Sequence, residues 1–349
     1  MEERNLNIVL ATGLYPPEIG GPATYARMLE EKLPAHGYKL TVVPFGQVRN
    51  RPKLLRHLAY AKLLWRQAKD ADIVYALDPV SVGLPAWLVS FLRRRPFLLR
   101  VAGDYAWEQG QQRYGVTATL DEYTKDRQAP LKVKLLAAAQ AFVAKRAVRV
   151  VVPSGYLKNI VTTWGVPTER IQVIYSALFP LTVTASKAEL RQQLSFANFV
   201  ITSVGRLVPW KGFMALINVV AALRQAGKDV SLVIAGDGPQ AEELAAHVKK
   251  RGLSDEVRLV GRLGKDALGA TIKASDCFVL NTGYEGLSHQ LLEVMDLSVP
   301  IVTTTVGGNP ELIRDGVSGL MVPFNDEAAL QAAIERLMDN DTLQQRLVQ

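Results

Sequence analysis

Twelve short apolar runs, most rich in Val, Ile and Leu, recur along the chain with room for a helix between each pair. In the first half they fall at 6–11, 39–44, 73–77, 97–101, 148–152 and 171–174. In the second half they fall at 200–204, 230–235, 257–260, 277–280, 301–304 and 319–322. Helical patterns lie between them, including 24–33, 53–69, 131–147, 213–226 and 240–251. Strands alternating with helices predict parallel sheets covered by helices on both faces. A chain of 349 residues exceeds the usual size of one hydrophobic core. The fold class is therefore α/β, with two Rossmann-like parallel-sheet domains facing a central ligand cleft. Their expected spans are 1–180 and 190–349, and 177–190, with its polar Thr184-Ala-Ser-Lys187, reads as the linker. Sequence order alone does not give strand order.

The most informative polar residues lie in Tyr284-Glu-Gly-Leu-Ser-His-Gln-Leu-Leu-Glu-Val-Met295, just after the run 277–280 and the turn-forming Asn281-Thr-Gly283. Leu287, Leu291, Leu292 and Met295 share a helical face. Glu285 is thus expected at a strand's carboxyl end and Glu293 about two turns into the next helix. Gly286 permits close backbone approach, and the amides of Leu287 and Ser288 are expected to open the helix. Such an opening favours an anion, here with a carboxylate on either side. The set suits a nucleotide sugar: hydroxyls to one acid, diphosphate to the amides, ribose to the other acid. The bland alternative is a loop Glu followed by an exposed helix Glu.

Ligands of open α/β sheets bind beyond the carboxyl ends of the strands. The second half's first strand run ends in Val204-Gly-Arg-Leu-Val-Pro-Trp-Lys-Gly212. Arg206 offers a fork of donors there and Lys211 a compact charge, both suited to a diphosphate. No metal-ligand cluster and no nucleophile elbow is visible, so neutralising a leaving diphosphate falls to these cations. In the first half, Gly20 and Gly21 end a long loop after the opening strand, just before a helix, and give the backbone freedom to approach phosphate or acceptor. That loop lacks the dinucleotide fingerprint, and its Pro16 and Pro17 also suit a plain turn. The turn Gly236-Asp-Gly-Pro239 is explained by tight-turn chemistry with Pro239 opening a helix. Gly307-Gly308-Asn-Pro-Glu311 reads equally well as a turn leading into a helix.

The Glu-Gly pair with its Leu-Glu-Val-Met helix, together with Gly-Arg-Leu…Lys-Gly, resembles the retaining nucleotide-sugar glycosyltransferases of family four, which have the GT-B fold. Val294 stands where Ala is usual. The resemblance implies that Glu285 contacts the donor sugar, Glu293 the ribose, and Arg206 and Lys211 the donor phosphates. It also makes Arg262 a base-binding candidate, and places the loops at Gly20-Gly21 and Gly307-Gly308 near the ligand. It implies a nucleoside-diphosphate sugar as donor with no separate cofactor, and as acceptor a sugar hydroxyl or a lipid-linked or polysaccharide intermediate. No nucleic acid is expected. In GT-B enzymes a C-terminal helix crosses back onto the first domain, and here that segment looks missing or short. The chain departs from the family in Arg100-Val-Ala-Gly-Asp-Tyr-Ala-Trp-Glu108, where Gly103 falls at the usual His. Asp104 is the remaining catalytic candidate, with a helix cap as its bland reading. Two alternatives follow, a nucleotide-sugar epimerase on the same scaffold and a catalytically weak nucleotide-sugar-binding protein.

Charge divides unevenly. Residues 1–185 hold 25 Lys/Arg against 14 Asp/Glu, whereas 186–349 hold 16 against 19. The helical segment 53–69 is basic, with Leu54, Leu58, Ala61, Trp65 and Ala68 on one face and Arg56, Lys62, Arg66 and Lys69 elsewhere. Two readings stand: a helix packing on its sheet, or one lying on anionic membrane with help from Arg93-Arg-Arg95. Met1-Glu-Glu-Arg4 does not resemble a secretory leader, and the longest apolar stretch, 80–92, is too short to span a bilayer. The single Cys277 sits in an apolar run. A cytoplasmic protein, peripheral on the inner face of a membrane at most, is expected.

Overall fold

The computed structural model describes residues 6–18, 20–126, 128–178 and 180–349, without the side chains of Lys53 and Leu54. The leader reading at Met1 to Arg4 and the face position of Leu54 therefore lie outside the described residues. The chain divides into two compact units, 1–176 and 177–349.

The first unit is built on β1 (Asn7–Thr12), β2 (Lys39–Pro44), β3 (Ile73–Ala76), β4 (Phe97–Arg100), β5 (Arg149–Val152) and β6 (Ile171–Val173). Its helices are α1 (Gly21–Lys32), α2 (Lys53–Gln67), α3 (Gly83–Arg93), α4 (Tyr105–Arg113), α5 (Leu120–Asp126), α6 (Leu131–Arg146) and α7 (Gly155–Thr163). All strand pairs are parallel, in the order β2-β1-β3-β4-β5-β6. The order reverses between β1 and β3, so the loops after those two strands flank this unit's switch point.

The second unit opens with α8 (Lys187–Leu194). Its strands are β7 (Phe199–Val204), β8 (Val230–Ala235), β9 (Val257–Gly261), β10 (Cys277–Leu280), β11 (Ile301–Thr304) and β12 (Leu320–Val322). The helices between and after them are α9 (Phe213–Gln225), α10 (Ala241–Lys250), α11 (Lys265–Ala274), α12 (His289–Asp296), α13 (Glu327–Met338) and α14 (Asp341–Leu347). The order is β12-β11-β10-β7-β8-β9, again all parallel. Here the switch lies between β7 and β10, the strands that precede Arg206 and Glu285. Central strands such as β10 are buried along their whole length, which is why they read as unbroken apolar runs. Cys277 is one of these buried residues, and burial pushes its thiol pKa up.

Two expectations are corrected by packing. The stretch read as a linker belongs to the second unit, because Leu181 and Val183 pack into its core. Ser186 and Glu189 then form a capping box that starts α8, with the Glu189 carboxylate accepting from the Ser186 amide at 2.8 Å. Along α2 and just past its end the core row is Tyr60, Leu64 and Ala68. Leu58 and Trp65, grouped with Ala68 on one face from the sequence, point outward at 68% and 40% exposure. Tyr60 can be buried because its hydroxyl donates to the Val43 carbonyl at 2.6 Å. Part of the apolar run at 80–92 forms α3, with Pro85 in its first turn, where no intrahelical partner is lost.

Candidate functional site

At the second unit's switch point, Lys211 Nζ donates to Glu285 Oε1 in a close ion pair. Their side chains are only 12% and 16% exposed. Lys211 ends a short turn of 3-10 helix after β7, closed by Gly212 at φ 57°. Glu285 lies on the loop after β10. With water largely excluded, removing either partner leaves the other charge uncompensated.

The loops around this pair are hydrogen-bonded to one another. The Gly283 amide donates to the Trp210 carbonyl at 2.7 Å. Asn281 Nδ2 donates to the Gly212 carbonyl at 3.0 Å, and Asn281 Oδ1 accepts from the Asn325 amide at 3.1 Å. One buried side chain thus joins the loops after β7, β10 and β12. Thr304 Oγ1 donates to the Thr282 carbonyl at 2.6 Å. The Gly308 amide donates to the Glu285 carbonyl at 2.9 Å. Gly307 has φ 64°, and a Cβ there would lie 2.1 Å from the Glu285 carbonyl oxygen; one on Gly308 would lie 2.3 Å from that of Gly286. The loop read as a turn into a helix does lead into a short 3-10 helix at Asn309–Glu311, and it is also the seat on which Glu285-Gly286 rests, where only glycine fits.

The helix after Glu285 begins later than expected. Leu287 is buried ahead of it, and Ser288 is its cap, Oγ accepting from the Leu291 amide at 3.3 Å. Thus α12 opens at His289, with Leu287 and Ser288 outside it, and Glu293 stands a little over one turn in. The core face is Leu291 and Val294, while Met295 is exposed. Burial pushes the Glu293 carboxyl pKa up, and the charge of Lys265 pulls it partly back.

Arg206 is exposed, and no hydrogen bond or ion pair holds its side chain among the described residues. Arg262, just after β9, pairs with Asp237 at 3.1 Å in an exposed contact. The turn at 236–240 connects the two arginines' loops: the Leu207 amide donates to the Asp237 carbonyl at 3.0 Å, and that of Gly236 to Gly261 at 2.7 Å. Arg206, Lys211, Glu285, Gly286, Glu293 and Arg262 thus all stand on the carboxyl-end loops of one sheet or on the helix that follows. Asn281 and Trp210 were missed because Asn281-Thr-Gly283 carries only a turn signal and Trp210 contributes a backbone carbonyl.

In the first unit Gly20, at φ 150°, precedes α1, and its carbonyl accepts from Ala23 and Thr24. Gly21 is the first residue of that helix. The loop before them is pinned by Arg49, which pairs with Glu18 and donates to the Gly13 carbonyl at 2.7 Å. Asp104 is a buried cap of α4. Its Oδ1 accepts from the Trp107 amide at 3.0 Å and from Gln140 Nε2 at 2.9 Å. Burial raises its pKa against the pull of these bonds. The structure thus gives Asp104 its capping role. No cluster of three or more His, Cys, Asp or Glu able to hold a metal occurs among the described residues.

Known proteins resemble this chain in sequence and fold. Residues 40–177 match the model of the glycosyl transferase 4-like domain, and 186–349 that of the glycosyl transferases group 1. An alpha-D-kanosaminyltransferase of Streptomyces kanamyceticus is 34% identical over 47% of this chain and 43% of its own length. The lipopolysaccharide core biosynthesis glycosyltransferase LpsE of Rhizobium meliloti is 34% identical over 43% and 42%. The matches therefore span under half the length of these relatives. Among solved structures, Anabaena HepE in complex with UDP-glucose has the same fold, with a TM-score of 0.76, 20% identity and coverage of 99% of this chain and 93% of that one. Two domain models in series and two parallel sheets agree: the chain carries a glycosyl transferase 4-like domain followed by a glycosyl transferases group 1 domain, on the GT-B fold.

Proposed function

We propose that this protein transfers a sugar from a nucleoside-diphosphate sugar to a hydroxyl acceptor, with retention of anomeric configuration. The observation that carries this reading is the shielded Lys211–Glu285 pair at the β7/β10 switch, with the uncommitted guanidinium of Arg206 on the same loop as Lys211. As the anomeric C–O bond breaks, charge builds on the diphosphate, and Arg206 and Lys211 are the cations placed to stabilise it. An arriving diphosphate competes for Lys211 and frees Glu285 for the donor sugar's hydroxyls. Glu293 is assigned the ribose and Arg262 the base. The acceptor oxygen passes its proton to the departing diphosphate and bonds to the anomeric carbon on the face that the diphosphate leaves. The first unit is assigned the acceptor, a sugar hydroxyl or a lipid-linked or polysaccharide intermediate. The lipopolysaccharide-core name of LpsE supports that class.

A thermal-shift screen across UDP-, GDP- and ADP-sugars tests the donor assignment, because a ligand that binds the folded state raises its melting temperature. A shift with one donor class, lost in Lys211→Ala, supports the reading. Free epimerised sugar formed without acceptor would replace transfer with epimerisation. Donor binding without turnover across a broad acceptor set would leave a binding protein.

A further inference from the structure

Three helices of the first unit carry an outward face that does not suit water. On α2, Leu55 and Leu58 are more than half exposed, and Trp65 lies in the same row. Leu84, Leu88 and Phe91 form the exposed row of α3, and Leu131 and Leu135 that of α6, with Leu131 at 73% and Phe91 at 67% exposure. Each row follows a helical period of three or four residues. These rows belong to one surface, since α3 packs against α2 and against α6. Trp87 of α3 meets the Phe142 ring edge-on at 4.8 Å, and Arg93 at the end of α3 stacks over the Trp65 ring at 3.8 Å. Monomeric soluble proteins rarely expose contiguous apolar area on this scale, and such patches mark interaction sites.

The charge on the same helices is one-sided. Together α2, α3 and α6 hold nine Lys/Arg and no Asp or Glu. Arg94 and Arg95 extend the basic run beyond α3. Arg146 lies over the Phe142 ring at 3.4 Å, so the cations lean on the apolar surface instead of standing clear of it. On α2 a shallow groove of about 420 Å³ has Leu55, Leu58 and Ala59 as its floor, with Arg51 and Lys62 among its lining residues.

We infer that the α2–α3–α6 face docks on an anionic lipid bilayer, its leucines and Phe91 entering the acyl boundary and its lysines and arginines meeting the headgroups. Exposed Leu and Phe among Lys and Arg, with no acidic residue, is the make-up of an interfacial surface. A second copy of the chain is the poorer occupant. A two-fold contact places the same patch on both sides, and here it would set cation against cation. This inference stands apart from the donor site, which lies in the second unit.

Flotation with vesicles of 70:30 phosphatidylcholine and phosphatidylglycerol, compared with phosphatidylcholine alone, tests it. The full chain should float with the anionic vesicles and be released by salt. Leu58→Glu with Phe91→Glu, and separately Lys62→Glu with Arg66→Glu, should each weaken partitioning about ten-fold or more. Both double variants should keep the melting temperature and any donor-induced thermal shift. Quenching of tryptophan emission by brominated lipid should diminish in Trp65→Phe. Equal flotation with neutral vesicles, no flotation at all, or flotation unchanged in both double variants overturns the proposal. So does sedimentation showing a dimer that Leu58→Glu with Phe91→Glu dissociates while the chain ignores vesicles.

Discussion

Lys211 and Glu285 are 74 positions apart in sequence, yet they meet as an ion pair between the loops that follow β7 and β10. The two strands are neighbours in the sheet although β8 and β9 intervene in the chain. Each residue is thereby held in place by the other and by the hydrogen-bonded rim around them.

Lys211→Ala and Glu285→Ala should each lower kcat/KM for transfer by about 10²-fold or more, since Lys211 is the cation proposed for the developing diphosphate charge and Glu285 the acid proposed to hold the donor sugar. Circular dichroism should show the fold intact, while melting should show a lowered midpoint, because each variant strands the other partner's charge. Near-normal transfer by both variants would remove the pair from the site.

Gly308→Ala should affect activity more than stability. The added methyl meets the Gly286 carbonyl at 2.3 Å and pushes Glu285 from its seat. A misplacement of about 1 Å can cost about 10²-fold in rate. Donor titration and single-turnover assays would show whether binding or the chemical step absorbs the loss.

Glu293 gives a pH signature. Burial raises its pKa, so between the unfolded and folded values the folded chain holds more protons than the unfolded one. Its contribution to stability therefore falls as pH rises through that window, which starts at the ordinary carboxylate range and extends above it. Glu293→Gln should raise the melting temperature at neutral pH by about 1–2 °C. It should also flatten the pH dependence and weaken donor binding. Melting curves from pH 4 to 8, with and without the donor found by screening, check the sign.

Asp104 separates capping from catalysis. Asp104→Ala loses the cap and leaves Gln140 without this partner, at a cost of about 2 kcal/mol. Asp104→Asn keeps an oxygen for the cap and should retain most stability and transfer. An Asn variant that folds normally but transfers at under one hundredth of the wild-type rate would restore a catalytic role.

The strands were legible because buried parallel strands read as apolar runs, and every expected run meets its observed strand to within one residue at each end. The opening of α12 was misplaced because Ser288 caps it, and a serine after a loop glycine does not by itself show which turn is helical. The face of α2 was misread because a tyrosine whose hydroxyl finds a carbonyl is as good a core residue as a leucine, while two outward residues are apolar. Lys211 and Glu285 carried motif signals; Asn281, which joins three loops through one amide, carried none.

The switch between β7 and β10 also sets an order of assembly. During synthesis β7 emerges and pairs with β8 while its other edge waits until β10 follows, more than seventy residues later. Until then a buried-type strand ending in Ile201 to Val204 has an unsatisfied edge, and such edges recruit foreign strands. The arrangement that later brings Lys211 to Glu285 thus leaves the nascent second unit most exposed to aggregation in the interval before β10 arrives.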